Sequence, residues 1–167
     1  GMALMMITHD LGVAADIAER VVVMRQGEIV EEGALDRVFA QPAHPYTRQL
    51  LTDRSEEYRS VRPKEAPVML ELEKVCVRYG AFEAVRNVSV TLGKGEILGI
   101  VGESGSGKSS LANTILRLNQ PSSGTIRFHG QDIFALGRDD LTRFHRSVQA
   151  IFQDPYSSLN PRMSVFK

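Results

Sequence analysis

With 167 residues, 43% of them hydrophobic, the chain has material for one globular domain or for two incomplete ones. Twenty basic residues balance twenty acidic ones, which argues against nucleic acid or an anionic membrane surface as a partner recruited by net charge. The single cysteine, Cys76, excludes an intrachain disulfide and a cysteine-based metal cluster and reads as a small buried hydrophobe. No apolar run is long enough to span a bilayer and no secretory signal is visible, so a cytoplasmic location is expected. Gly1 ahead of Met2 reads as a cloning remnant.

In chain order, Met2 to Ile7 is an apolar run that ends in Thr8-His9-Asp10, and residues 11–20 carry the apolar and alanine positions of a helix. Val21 to Met24 and Ile29 to Gly33 form a predicted β-hairpin with Gly27 in the turn. A short helix is predicted over 35–40. The proline-broken segment 41–51 then turns helical. Residues 52–67 are charged, nearly free of aliphatics and punctuated by Pro63 and Pro67, which is a linker signature. Beyond it the chain starts again as β-structure, with alternating patterns over 69–79 and 84–92 and a buried strand over 96–101. A helix is predicted from Ser110, a strand over 125–129, a polar helix over 139–146 and a last strand over 148–152.

The strand over 96–101 runs into Gly102-Glu103-Ser104-Gly105-Ser106-Gly107-Lys108-Ser109, followed at once by Ser110-Leu111-Ala112. Glycines at this spacing let backbone N–H groups converge on a phosphate. The following helix N-terminus adds partial positive charge, Lys108 can reach the β and γ oxygens, and the Ser109 hydroxyl can ligate Mg²⁺. Gly102, Ser104, Gly105, Gly107, Lys108, Ser109 and Ser110 are therefore the predicted phosphate-binding residues.

Two further motifs carry a family resemblance. Residues 68–167 resemble the first half of an ABC transporter ATPase domain, and residues 2–51 resemble the last part of another. Ile151-Phe152-Gln153-Asp154-Pro155-Tyr156-Ser157-Ser158-Leu159-Asn160-Pro161-Arg162-Met163 is similar to the glutamine loop of the oligopeptide/dipeptide (peptide/nickel) uptake branch. His44-Pro45-Tyr46-Thr47-Arg48-Gln49-Leu50-Leu51 resembles that branch's C-terminal extension. The resemblance implies a division into 1–51, a linker over 52–67, and 68–167, as at the junction of a tandem protein with two ATPase domains. It implies that Tyr79 stacks on adenine and that His9 holds the γ-phosphate. It also implies that Gln153 contacts Mg²⁺ or water and faces the membrane subunits. ATP and Mg²⁺ are the cofactors it implies. The implied partners are transmembrane permease subunits and a second ATPase domain, in a homodimer or pseudo-dimer, and no nucleic acid. The implied location is peripheral, on the inner face of the cell membrane.

The chain contains no Leu-Ser-Gly-Gly-Gln-like signature and no strand ending in Asp-Glu. What it retains is the end of such a domain followed by its beginning. The expected fold is therefore an α/β P-loop NTPase (ABC ATPase) core with an antiparallel β subdomain, incomplete and in circularly permuted order. The sheet of the family it resembles implies that the strands at Met2–Ile7 and Val21–Met24 flank the one at Ile97–Val101, all parallel, either within one chain or swapped in a dimer. Two fragments joined by a disordered linker are the alternative. Three functions follow: an ATP-binding protein powering peptide or similar solute uptake, a non-catalytic nucleotide-binding module that dimerises, and a DNA-repair-type ATPase, which the neutral charge disfavours.

Overall fold

A computed structural model describes residues 2–52 and 66–151. Two four-stranded sheets organise it. Strands β1 (Leu4–Thr8), β6 (Ile97–Val101), β2 (Arg20–Arg25) and β3 (Glu28–Ala34) lie side by side in that order in the first sheet. β6 is parallel to both β1 and β2, whereas β2 and β3 form an antiparallel hairpin. Residues on the two sides of 53–65 therefore share one sheet in one chain, in the permuted order expected. Glu19 ties the joint from both ends: its N–H donates to the Ile97 carbonyl at 2.9 Å, and its carboxylate accepts the Ile97 N–H at 3.2 Å.

The second sheet is antiparallel, in the order β5 (Phe82–Gly93), β4 (Val68–Tyr79), β7 (Ser123–Phe128) and the two-residue β8 (Gln131–Asp132). The helices are α1 (Leu11–Ile17), α2 (Leu35–Ala40), α3 (Pro45–Thr52), α4 (Lys108–Ile115) and α5 (Arg138–Ser147).

Side-chain alternation in the central strands builds two cores. Val22 and Met24 of β2, with Leu98 and Ile100 of β6, face the antiparallel sheet and Leu111 and Ile115 of α4. Val21, Val23 and Val101 point the other way, onto α1, α2 and Tyr46 of α3. Strands covered on both faces need continuous apolar runs, and these have them. Each fully buried Val, Leu or Ile contributes about 1.5–3 kcal/mol. Helix α1 approaches closely because alanines meet a glycine: a Cβ on Gly99 would lie 3.3 Å from the Ala18 Cβ.

Three expectations change. The helix predicted over 11–20 ends at Ile17, because the backbone of Glu19 and Arg20 is taken up by pairing with β6. The strand predicted over 148–152 does not form in its described part. Val148 instead caps α5, its N–H donating to Phe144, and Ile151 is 97% exposed. An apolar run becomes a strand only beside a partner, and no described strand pairs with it. Cys76 is half-buried, its Sγ accepting the Asn87 N–H at 3.2 Å. Most of the predicted linker, and Gln153, lie outside the described residues. Among the described residues no helix is long and apolar enough to cross a membrane.

Candidate functional site

The loop that leaves β6 closes on itself before entering α4. The Ser106 N–H donates to the Glu103 carbonyl at 3.2 Å. Gly107 caps α4 in the left-handed conformation, at φ 99°, and no side chain caps the helix. The first N–H groups of α4 are thus left for an anion, reinforced by the helix dipole. A side chain at Gly107 is excluded twice over, since a Cβ there would sit 2.3 Å from the Ala84 carbonyl oxygen.

Lys108 is buried, and its Nζ donates to the Gly102 and Glu103 carbonyls, both at 2.8 Å, and to Ser106 Oγ at 3.2 Å. The ammonium is therefore folded back onto the loop's own carbonyls and the Ser106 hydroxyl. Burial lowers its pKa below the ordinary lysine value. Ser109 follows it on the exposed side of the first turn of α4, and Ser104 and Gly105 are also exposed. A positive side chain, free N–H groups and an open hydroxyl on one short turn suit a phosphate with an accompanying divalent ion. Among the described residues no group of three or more His, Cys, Asp or Glu could hold a metal by itself.

The register of β1 on β6 ends at the pair Thr8–Val101, one residue before His9 on one strand and one before Gly102 on the other. His9 is exposed. The strand pairing thus ends at the start of both His9 and the loop, although the two lie far apart in sequence. Tyr79 ends β4 opposite Phe82, is 48% exposed, and accepts a hydrogen bond from Asn119 Nδ2 at 2.7 Å. A cleft of about 330 Å³ opens beside the loop, lined by Gln26, Phe82, Glu83, Ala84, Arg86 and Gly105. Tyr79 does not line it.

Sequence reasoning missed the residues that support the loop from behind. The β2–β3 turn sits against it: the Gly27 N–H donates to the Ser106 carbonyl at 3.0 Å, and the Gly27 carbonyl accepts the Arg86 N–H at 2.7 Å. On α3, the Tyr46 hydroxyl accepts the Glu103 N–H at 3.1 Å. The motif containing Tyr46 was visible in the sequence, but nothing local to it indicates contact with a loop 57 residues away.

A β-sheet whose strand β6, parallel to both its neighbours, feeds a glycine loop, a buried lysine and a helix defines a P-loop nucleotide-binding protein. Residues 85–167 match the ABC transporter family model. The chain is 39% identical over 201 aligned residues to the glutathione import ATP-binding protein GsiA of Salmonella paratyphi A, covering 98% of this chain and 32% of that protein. It is 40% identical over 177 residues to the uncharacterized ABC transporter ATP-binding protein YejF of Escherichia coli, covering 99% and 33%. The peptidoglycan transport ATP-binding protein YejF of Agrobacterium fabrum is 38% identical over 176 residues, covering 99% and 32%. A crystal structure of a nucleotide-free ATP-binding cassette from an ABC transporter is 31% identical, covering 46% of this chain and 30% of that one, with a TM-score of 0.43. The chain belongs to the ABC transporter ATP-binding family. It spans about a third of the length of the curated relatives it matches.

Proposed function

We propose that the chain binds ATP with Mg²⁺ and derives from the ATP-binding component of an ABC importer for peptides or similar solutes. The observation that carries this reading is the buried Lys108 folded onto the loop that joins the end of β6 to the α4 N-terminus, which no side chain caps. The backbone from Gly102 to Ser110 would hold the α- and β-phosphates, with Lys108 turning outward to the β and γ oxygens. Magnesium neutralises phosphate charge, and Ser109 and Gln153 are the residues that would hold it. Tyr79 would stack on adenine and His9 would meet the γ-phosphate. The relatives' names, which include glutathione import and peptidoglycan transport, support the importer reading.

Single alignments carry both segments of the chain in their present order. This supports reading 1–51 as the end of one ATPase domain, 52–67 as a linker and 68–167 as the start of the next. Permease subunits at the inner membrane face, and a second ATPase domain, are the partners of the whole protein in this reading. Phosphoryl transfer to water needs a positioned water and charge stabilisation beyond a phosphate cradle. Without a signature motif or an Asp-Glu strand end in its sequence, the chain alone binds ATP without turning it over. The same absence favours a second reading, a nucleotide-binding module that dimerises without turnover.

ATP affinity and turnover of the purified chain, with Lys108→Ala alongside, test the proposal. Loss of the charge-assisted contacts should weaken binding by roughly 10- to 100-fold. Failure of the wild-type chain to bind ATP would defeat the proposal. Turnover that depends on Lys108 would refute the claim that the chain is catalytically incomplete.

A further inference from the structure

The peptide unit between Gly102 and Glu103 is held at both ends. Its carbonyl, on Gly102, accepts from Lys108 Nζ at 2.8 Å, and its N–H, on Glu103, donates to the Tyr46 hydroxyl at 3.1 Å. One peptide plane thus connects α3, before the linker, to the phosphate-binding lysine after it. Hydrogen bonds in such a chain polarise one another, so the donor at one end strengthens the acceptor at the other.

The support of Tyr46 is itself rigid. The ring is 2% exposed in the core formed with α1 and α2, and the Arg25 guanidinium lies over it, 4.7 Å from its centroid. The Glu31 carboxylate accepts the N–H groups of Ala43 and His44 at 2.8 and 3.0 Å, and His44 Nδ1 accepts that of Tyr46 at 3.1 Å, which fixes the start of α3. Burial raises the phenol pKa above its ordinary value, so the hydroxyl is neutral at physiological pH.

We propose that Tyr46 is a positioning residue for the phosphate loop: its hydroxyl fixes the Gly102–Glu103 peptide in the orientation that places Lys108 over the phosphate site. The inference rests on reading the loop as an ATP site. It makes the α3 segment part of the nucleotide site without touching the nucleotide. By reciprocity of linkage, ATP on the loop must also act on the hold of α3.

Tyr46→Phe removes the hydroxyl and keeps the ring, its packing and the face that Arg25 covers. In the full chain without nucleotide, amide exchange at Glu103, read by NMR, should accelerate by roughly three- to tenfold, the worth of one net hydrogen bond. Binding of a fluorescent ATP analogue should weaken by a similar factor. Val38→Ala loosens the same core without reaching the hydroxyl, and should leave Glu103 exchange at the wild-type rate. Unchanged Glu103 exchange and affinity in Tyr46→Phe would overturn the inference. Equal acceleration in Val38→Ala would also overturn it, because the effect would then be one of general loosening. A wild-type chain that bound no ATP analogue would defeat the proposed function. Exchange at Glu103 in the nucleotide-free chain would still decide whether Tyr46 holds that peptide.

Discussion

Gly105 and Gly107 share a loop and a left-handed backbone, at φ 80° and 99°, but differ in what surrounds them. A Cβ on Gly105 would meet nothing within 4 Å, whereas one on Gly107 would lie 2.3 Å from the Ala84 carbonyl oxygen and 3.2 Å from the Gly27 Cα. Alanine at either position costs about 1–2 kcal/mol for the left-handed conformation. Either substitution also stiffens the unfolded chain by a similar ~0.4–1 kcal/mol, which cancels in the comparison. Only Gly107→Ala must also push strand β5 and the β2–β3 turn away from the loop, an overpacking cost of about 1–3 kcal/mol. Gly107→Ala should therefore be less stable than Gly105→Ala by about 1–3 kcal/mol, a sizeable part of the ~5–15 kcal/mol typical of a whole domain. Urea unfolding of the two variants without nucleotide, at an unchanged slope, measures the difference directly. In thermal melts it corresponds to about 2–4 °C per kcal/mol for a chain of this size. Coincident midpoints would refute the claim that the turn and β5 close in on the loop at Gly107.

Arg20 joins the two sequence segments, because its guanidinium meets Glu32 and Glu96, both at 2.7 Å, and also donates to the Thr91 carbonyl. Arg20→Met leaves the buried Glu96 without its cation and should destabilise the fold by about 2–4 kcal/mol in chemical denaturation. A loss below half a kcal/mol would show that the joint does not depend on this cation. Glu31 gives a pH signature. Burial acts to raise its pKa but is outweighed by Thr47 beside it and by the N–H groups of Ala43 and His44, so the net shift is downward from 4.5. A carboxylate with a lowered folded-state pKa contributes stability that is present above pH 4.5 and lost as the pH falls through its folded value. Glu31→Gln should flatten the acid limb of stability against pH in that window, and an unchanged limb in denaturant titrations would count against the clamp on α3.

The phosphate loop was legible because its chemistry is local. Glycine spacing, the preceding apolar strand and the following Lys108 and Ser109 determine a P-loop wherever the strand is buried. The hairpin around Gly27 was legible for the same reason, and so was the double-faced burial of β2 and β6, whose apolar runs admit no solvent side. The permuted pairing of β1 and β2 with β6 came from the family resemblance, since no periodicity in residues 2–24 names a partner 78 or 93 residues away. Where an apolar run had no partner among the described residues, at Val148 to Ile151, pattern alone misled, because a strand is a property of two segments rather than one. Tertiary structure alone decided what stands behind the loop. The Ala84 carbonyl closes off Gly107, the Gly27 N–H reaches Ser106, and the Tyr46 hydroxyl takes the Glu103 N–H. These groups are ordinary in sequence, and they acquire their roles because the sheet brings distant backbone polar groups within hydrogen-bonding reach, where burial requires that they be satisfied.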